Sequence, residues 1–233
     1  MERSRIYTRL TGALLLSFAL VGLLAACGAP TTKNGAMMQT PTAASILQDA
    51  SKLKVTDATM TFALDGTTQG QHLTGNGTVK LTSKPKRTDS TMTLSLGSQQ
   101  FAFESITDGT TGATYTKFSQ PAALATGKWS KQNLNIGSFV DFSNLTNFSS
   151  LKNPTFAGAT TVDGVPVWHL KAQYSASGEN ATADLYFNQQ NAHPVEIAIA
   201  TTGAAAFTMT IHYTAINSGI AIDLPPATEI QAA

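Results

Sequence analysis

The feature that most constrains this chain is a period of two. Met60, Phe62 and Leu64 alternate with Thr59, Thr61 and Ala63. Val79 and Leu81 alternate with Thr78, Lys80 and Thr82, and Met92, Leu94 and Leu96 alternate with Thr91, Thr93 and Ser95. Phe101 and Phe103 continue the pattern. In the second half come Val165, Val167 and Leu170, then Leu185 and Phe187, then Val195, Ile197 and Ile199. Phe207, Met209, Ile211 and Tyr213 alternate with Thr208, Thr210, His212 and Thr214. Successive side chains of a strand point to opposite faces, so apolar residues with Thr opposite mark antiparallel strands with one buried and one wet face. A helix would scatter such a pattern around its whole surface.

Turn signals fall between the runs at Asp65-Gly66, Gly75-Asn76-Gly77, Asp108-Gly109, Asp163-Gly164 and Asn191-Ala192-His193-Pro194. About ten strands at this spacing predict one large sheet curled around a core, in a single domain spanning 42–233. One helix is expected, over 42–54. Thr40 serves as its N-cap and Pro41 as its first residue, and Ile46, Leu47, Ala50 and Leu53 share a face. Residues 138–151 break the alternation, because Phe139, Phe142, Leu145, Phe148 and Leu151 recur every three residues. Asn and Ser are poor helix formers, so short helical turns crossing one sheet face are expected there.

Composition fixes what the wet faces are made of. The chain has 34 Thr and 18 Ser, and only 12% of its residues are charged, against the ~25% usual in soluble domains. With a formal charge of +1 it lacks the basic face that phosphate recognition requires, which excludes nucleic acid as a partner.

The N-terminus carries an address. Arg3, Arg5 and Arg9 precede an apolar run from Leu10 to Leu24, shorter than the ~20 residues that span a bilayer as a helix. The run ends in Leu24-Ala25-Ala26-Cys27, which resembles the lipobox of bacterial lipoprotein signal peptides. Cys27 is the single Cys of the chain, so no intrachain disulfide and no Cys-based zinc site can form. The reading is a signal peptide over 1–26, lipid attachment at Cys27, and a flexible tether over 27–41 with a root-mean-square reach of roughly 20 Å. The mature chain then carries 12 basic and 13 acidic residues, a charge of −1. Acyl chains rather than electrostatics would hold it on the extracytoplasmic face of the membrane.

The search for chemistry is negative. His72, His169, His193 and His212 form no ligand-spaced pair, which gives no metal site. Ser-x-x-Lys occurs at Ser51, Ser83 and Ser149 without the companion motifs of a β-lactamase. There is no G-x-S-x-G elbow and no phosphate-binding glycine loop. The expectation is a protein without catalytic residues or cofactors. Trp129 and Trp168 read as core or rim anchors, with sugar stacking as the alternative.

Several stretches then point to a family. Asp108-Gly109 through Tyr115-Thr116-Lys117, Gly127-Lys128-Trp129-Ser130-Lys131 and Asp163-Gly164-Val165-Pro166-Val167-Trp168-His169-Leu170 follow in order. Asp184-Leu185-Tyr186-Phe187 leads to His193-Pro194-Val195-Glu196-Ile197, then to Ile211-His212-Tyr213 and Ile222-Asp223-Leu224-Pro225-Pro226. With the lipobox, this order resembles the LppX/LprG-type bacterial lipoproteins of the LolA-like superfamily. The resemblance implies an α+β, mostly antiparallel half-barrel with an N-terminal helix, and short helices as a lid over a hydrophobic cavity. It also implies that the cavity takes the acyl chains of a lipid or glycolipid. Phe62, Leu64, Leu94, Leu96, Phe101 and Phe103 would form one wall, and Phe139, Phe142, Leu145 and Phe148 the lid. A membrane exporter or other partner protein fits a monomeric carrier. The alternative is a sensor or protein-interaction module on the same scaffold, and an enzyme or cell-wall module remains a third class.

Overall fold

The computed structural model describes residues 40–68, 70–133, 148, 151–176, 179–202 and 206–231. It contains helix α1 (Ala43–Ser51) and strands β1 (Asp57–Thr68), β2 (Gln71–Ser83), β3 (Lys86–Leu96), β4 (Gln99–Asp108), β5 (Ala113–Gln120) and β6 (Ser130–Asn133). Then come β7 (Leu151–Val162), β8 (Val165–Ala176), β9 (Glu179–Asn188), β10 (Pro194–Thr201) and β11 (Phe207–Ile216). No described helix is long and apolar enough to cross a membrane.

All eleven strands belong to one antiparallel sheet, in the order β6-β5-β4-β3-β2-β1-β11-β10-β9-β8-β7. The chain starts in the middle at β1, walks outward to the β6 edge, resumes at the opposite edge with β7, and walks back until β11 pairs with β1. Strands about 4.8 Å apart would make a flat sheet of this width roughly 50 Å across. Right-handed twist curls such a sheet instead, giving the curled sheet expected from the alternation and the open half-barrel that the resemblance implied.

Four expectations need correction. Gly75-Asn76-Gly77 is not a turn but the middle of β2, where Gly75 lies opposite Leu64 and Gly77 opposite Phe62. A Cβ on Gly77 would come within 2.3 Å of the Thr91 carbonyl oxygen and 2.8 Å of the Phe62 ring. These glycines therefore make room for neighbouring side chains rather than turning the chain. Asp65-Gly66 likewise lies inside β1. The other turn signals hold, and Asp163-Gly164 takes φ of 48° and 81° between β7 and β8.

The helix is shorter than expected and begins at a different cap. Thr42, not Thr40, is the N-cap: its hydroxyl accepts from the Ser45 amide, and the Ser45 hydroxyl accepts from the Thr42 amide, both at 3.1 Å. This reciprocal capping box outcompetes the Thr40-Pro41 start. Lys52 closes the helix and reaches back to Asp49 at 2.8 Å. Finally, Leu151 opens an edge strand. β7 was not legible because Asn153, Pro154 and Gly158 interrupt its alternation and two register shifts break its ladder; such breaks protect an exposed sheet edge. The rest of the expected lid segment lies outside the described residues except Phe148, as do residues 1–39, where the signal peptide and the lipid attachment at Cys27 are expected.

Candidate functional site: the inner face of the half-barrel

Register alone assigns every strand residue to a face. On one face, cross-strand rows run Leu64–Gly75–Leu94–Phe101 and Phe62–Gly77–Met92–Phe103–Phe118. Through β11 they extend to Met209 and Ile211, then Ile199 and Ile197, then Ala183 and Leu185, and on β8 to Ala172 and Leu170. The apolar packing is continuous across this inner face, because Phe62 touches both the β1–β2–β11 cluster and the β3–β4 cluster. Ile199 likewise joins the first of these to the α1–β8–β9 cluster. Helix α1 covers the β8–β9 end through Ile46 and Ala50, and Phe148 meets Phe187 edge-on at 5.2 Å between ring centres.

The inner face carries almost no charge. Among the described residues of β1–β5 and β11, Lys86, at the very start of β3, is the one ionisable cation or carboxylate on it. The charged side chains sit on the outer face. Lys80 meets Asp89 at 3.1 Å. His169 meets Asp184 at 2.6 Å and stacks on Tyr186 at 4.5 Å, while His212 meets Glu196 at 3.2 Å. Burial, and then the neighbouring Asp89, raise the Glu104 pKa; burial followed by Asp184 and Glu196 raises that of Tyr186. No group of three or more His, Cys, Asp or Glu among the described residues could hold a metal ion.

The outer face has its own cover at one corner. Residues 219–231 run as a strap over Ile106, Ala113, Tyr115 and Trp129, and Ile222 completes that cluster. Trp129 and Ile230 form a parallel bridge, with the Trp129 amide donating to the Glu229 carbonyl at 2.9 Å. Trp129 is therefore buried core. Trp168 is on the inner side, half-buried and edge-on to Phe156 at 5.9 Å.

The structure brings together six of the residues expected to line a ligand site. Phe62, Leu64, Leu94, Leu96, Phe101 and Phe103 all lie on the inner face, with Leu94 directly opposite Phe101. Leu64, Leu94, Phe101 and Phe103 are buried, whereas Phe62 and Leu96 keep accessible surface. Phe148 belongs to the α1 side. Phe139, Phe142 and Leu145 are outside the described residues. The expected list omitted the inner-face residues of the second half: Ile197, Ile199, Phe207, Met209, Ile211 and Tyr213. Their alternation was legible, but the pairing of β11 with β1 that joins them to Phe62 and Leu64 was not. Leu73, Ile197, Ile199, Phe207 and Tyr213 also remain partly accessible.

The class this defines is an open, eleven-stranded antiparallel half-barrel with charge almost confined to its outer face. The particular likeness is to lipoprotein LppX of Mycobacterium tuberculosis, with a TM-score of 0.53 and 16% identity over 78% of this chain and 96% of that one. At this identity the likeness establishes a shared fold, the one the sequence resemblance implied. An uncharacterized conserved protein of Thermus thermophilus is 10% identical, over 81% of this chain and 98% of that one, with a TM-score of 0.40. MucB is 17% identical, over 82% of this chain and 62% of that one, with a TM-score of 0.39. No protein-family model matches the chain, and no curated protein matches it.

Proposed function

We propose that this protein is a membrane-tethered, extracytoplasmic binder or carrier of a lipid or similarly hydrophobic ligand, whose acyl chains lie on the inner face. One observation carries the reading. Large apolar side chains on a nearly charge-free face, among them Phe62, Leu73, Leu96, Ile199 and Phe207, retain accessible surface. In a solidly packed sandwich such residues would be buried by a facing layer. Each CH₂ withdrawn from water contributes about 0.8 kcal/mol, so even part of an acyl chain binds well without charged contacts.

The LppX fold supports this reading, and the Leu24-Ala25-Ala26-Cys27 sequence supplies the tether. Two or more acyl chains on Cys27 give stable anchoring. On this reading the chain has no catalytic role: the His–carboxylate pairs lie on the outer face, away from the apolar surface.

The test is native mass spectrometry of residues 28–233 purified from a lipid-rich host, together with uptake of a fluorophore-labelled dodecyl chain. The expected result is copurifying lipid or saturable uptake. A ligand-free protein that takes up no probe would overturn the proposal.

A further inference from the structure

Two segments at one end of the sheet hold five of the twelve basic residues of the mature chain and no carboxylate. Lys52 and Lys54 lie in the stretch 52–56 between α1 and β1, and Lys84, Lys86 and Arg87 in the turn 83–87 from β2 into β3. The fold sets the two side by side, because the Ser83 amide donates to the Thr56 carbonyl at 2.8 Å. Asn217 fixes the first segment: its side chain accepts from the Thr56 amide at 2.7 Å and donates to the Lys54 carbonyl at 2.9 Å. The Gly109 amide fixes the second, donating to the Lys86 carbonyl at 2.8 Å. The lysines therefore stand on a braced rim of the half-barrel.

Most nearby carboxylates are engaged elsewhere. Asp49 takes Lys52 at 2.8 Å, and Asp57 is buried among its own donors. Asp108, also buried, accepts from the Thr110 amide at 3.0 Å and the Thr111 hydroxyl at 2.8 Å, opposite Arg87. Arg87 itself donates to the Ile222 carbonyl at 2.7 Å. Asp163 lies 3.7 Å from His212, and Asp223 is exposed on the strap. Lys54 and Lys84 are exposed and have no partner among the described residues. The opposite end differs, since its turns 67–71, 96–100 and 119–127 contain no charged residue. The field of the domain is thus polarised along the strands even though the mature charge is only −1.

Chain order says which surface this rim meets. The expected tether runs into α1, and α1 closes at Lys52. A tether reaching roughly 20 Å, followed by a helix of about 14 Å, keeps the rim within reach of the bilayer in which Cys27 would be anchored.

We infer that the rim carrying Lys52, Lys54, Lys84 and Lys86 docks on anionic phospholipid headgroups and orients the tethered half-barrel with this end towards the membrane. The inference rests on the anchored reading above and adds an orientation to it. Acyl chains supply the anchoring. A lysine close to an anionic leaflet contributes roughly a fivefold bias, so Lys54 and Lys84 together give about twenty-five-fold. That is enough to orient a domain already held at the surface and too little to capture it from solution. The attraction fades within a Debye length, about 8 Å at physiological ionic strength, so only the end in contact counts.

The test couples residues 27–233 through the Cys27 thiol, the only one in the chain, to a maleimide-bearing lipid. The vesicles are phosphatidylcholine alone or an equal mixture with phosphatidylglycerol. Brief acetylation with a water-soluble succinimidyl ester, read by mass spectrometry, reports the accessibility of each lysine. On the anionic vesicles, labelling of Lys52, Lys54 and Lys84 should fall at least about fivefold and recover at high salt. Lys128, Lys152 and Lys171, exposed at the opposite end and on the outer face, should label equally on both. Lys54→Gln combined with Lys84→Gln should remove the protection of Lys52 and leave the circular dichroism spectrum and dodecyl probe uptake unchanged. Equal labelling of the rim on both vesicles, or protection of Lys128 and Lys152 instead, would overturn the docking surface. Because the coupling is chemical, that failure is distinct from failure of natural attachment at Cys27 or of lipid binding.

Discussion

Asp57 offers the sharpest test of how the half-barrel is held. It is 5% exposed, at the start of β1. One carboxylate oxygen accepts from the Ser218 amide at 2.7 Å, and the other from the Thr56 hydroxyl at 3.0 Å and the Gly219 amide at 3.2 Å. These bonds fix the point where the chain leaves β11 for the strap. Burial by itself pushes the Asp57 pKa up, but donors from Ser218, Thr56, Gly219 and Ile220 outweigh it and hold the carboxyl below its ordinary value. Asp57→Ala leaves two amides without their acceptor. An unpaired buried donor costs about 1–3 kcal/mol, and partial hydration of the loosened strap brings the expected loss to about 3 kcal/mol. For a domain of this size that is a fall in Tm of roughly 6–12 °C.

Urea unfolding followed by circular dichroism measures the loss, and fluorescence of Trp129 beneath the strap reports local opening. The pH dependence has a definite sign. A depressed carboxyl pKa contributes stability that is present above the unfolded value near ~3.9 and is lost as pH falls through the folded value. The gap between wild type and Asp57→Ala should therefore be full at pH 7 and shrink below about pH 4. A variant within about 1 kcal/mol of wild type at pH 7, in order-of-magnitude terms one unbroken hydrogen bond, would refute the reasoning. So would a gap that widens on acidification.

Three further outcomes follow from the sheet and its anchor. Gly77→Val should destabilise the domain by about 1–3 kcal/mol or more, read in the same urea titration, because its side chain would overlap the Thr91 carbonyl and the Phe62 ring. Leu94→Asp should unfold or aggregate the protein by burying an unpaired carboxylate, whereas Thr93→Asp, on the outer face, should shift stability by less than about 0.5 kcal/mol; size-exclusion chromatography and thermal melts separate the two. Cys27→Ala should leave unprocessed precursor or release protein into the medium, and an Ala variant that fractionates with membranes at its mature mass would refute lipid attachment.

Most of the strands were legible in the sequence because alternation is a local property: once Met60, Phe62 and Leu64 choose a face, Thr59 and Thr61 must take the other. Six of the expected ligand-facing residues lie together for the same reason. Charge was legible too, since a scarcity of Lys and Glu leaves few side chains that could line an interior. What alternation cannot carry is the identity of each strand's neighbour. Pairing of β1 with β11 joins residues far apart in the chain, Phe62 with Ile211 among them, and no local pattern encodes it. Glycine shows the same limit. Gly75 and Gly77 look like a turn in isolation, but pairing with β1 on one side and β3 on the other places that stretch inside β2, with the Phe62 and Leu94 side chains packed against the glycines. The inward-facing hydroxyls of β4 and β5 are the clearest case. Ser105-Ile106-Thr107 and Thr114-Tyr115-Thr116 alternate as well as any strand, and either set could have faced inward. The strap, by burying Ile106 and Tyr115 from outside, decides that the hydroxyls face the interior.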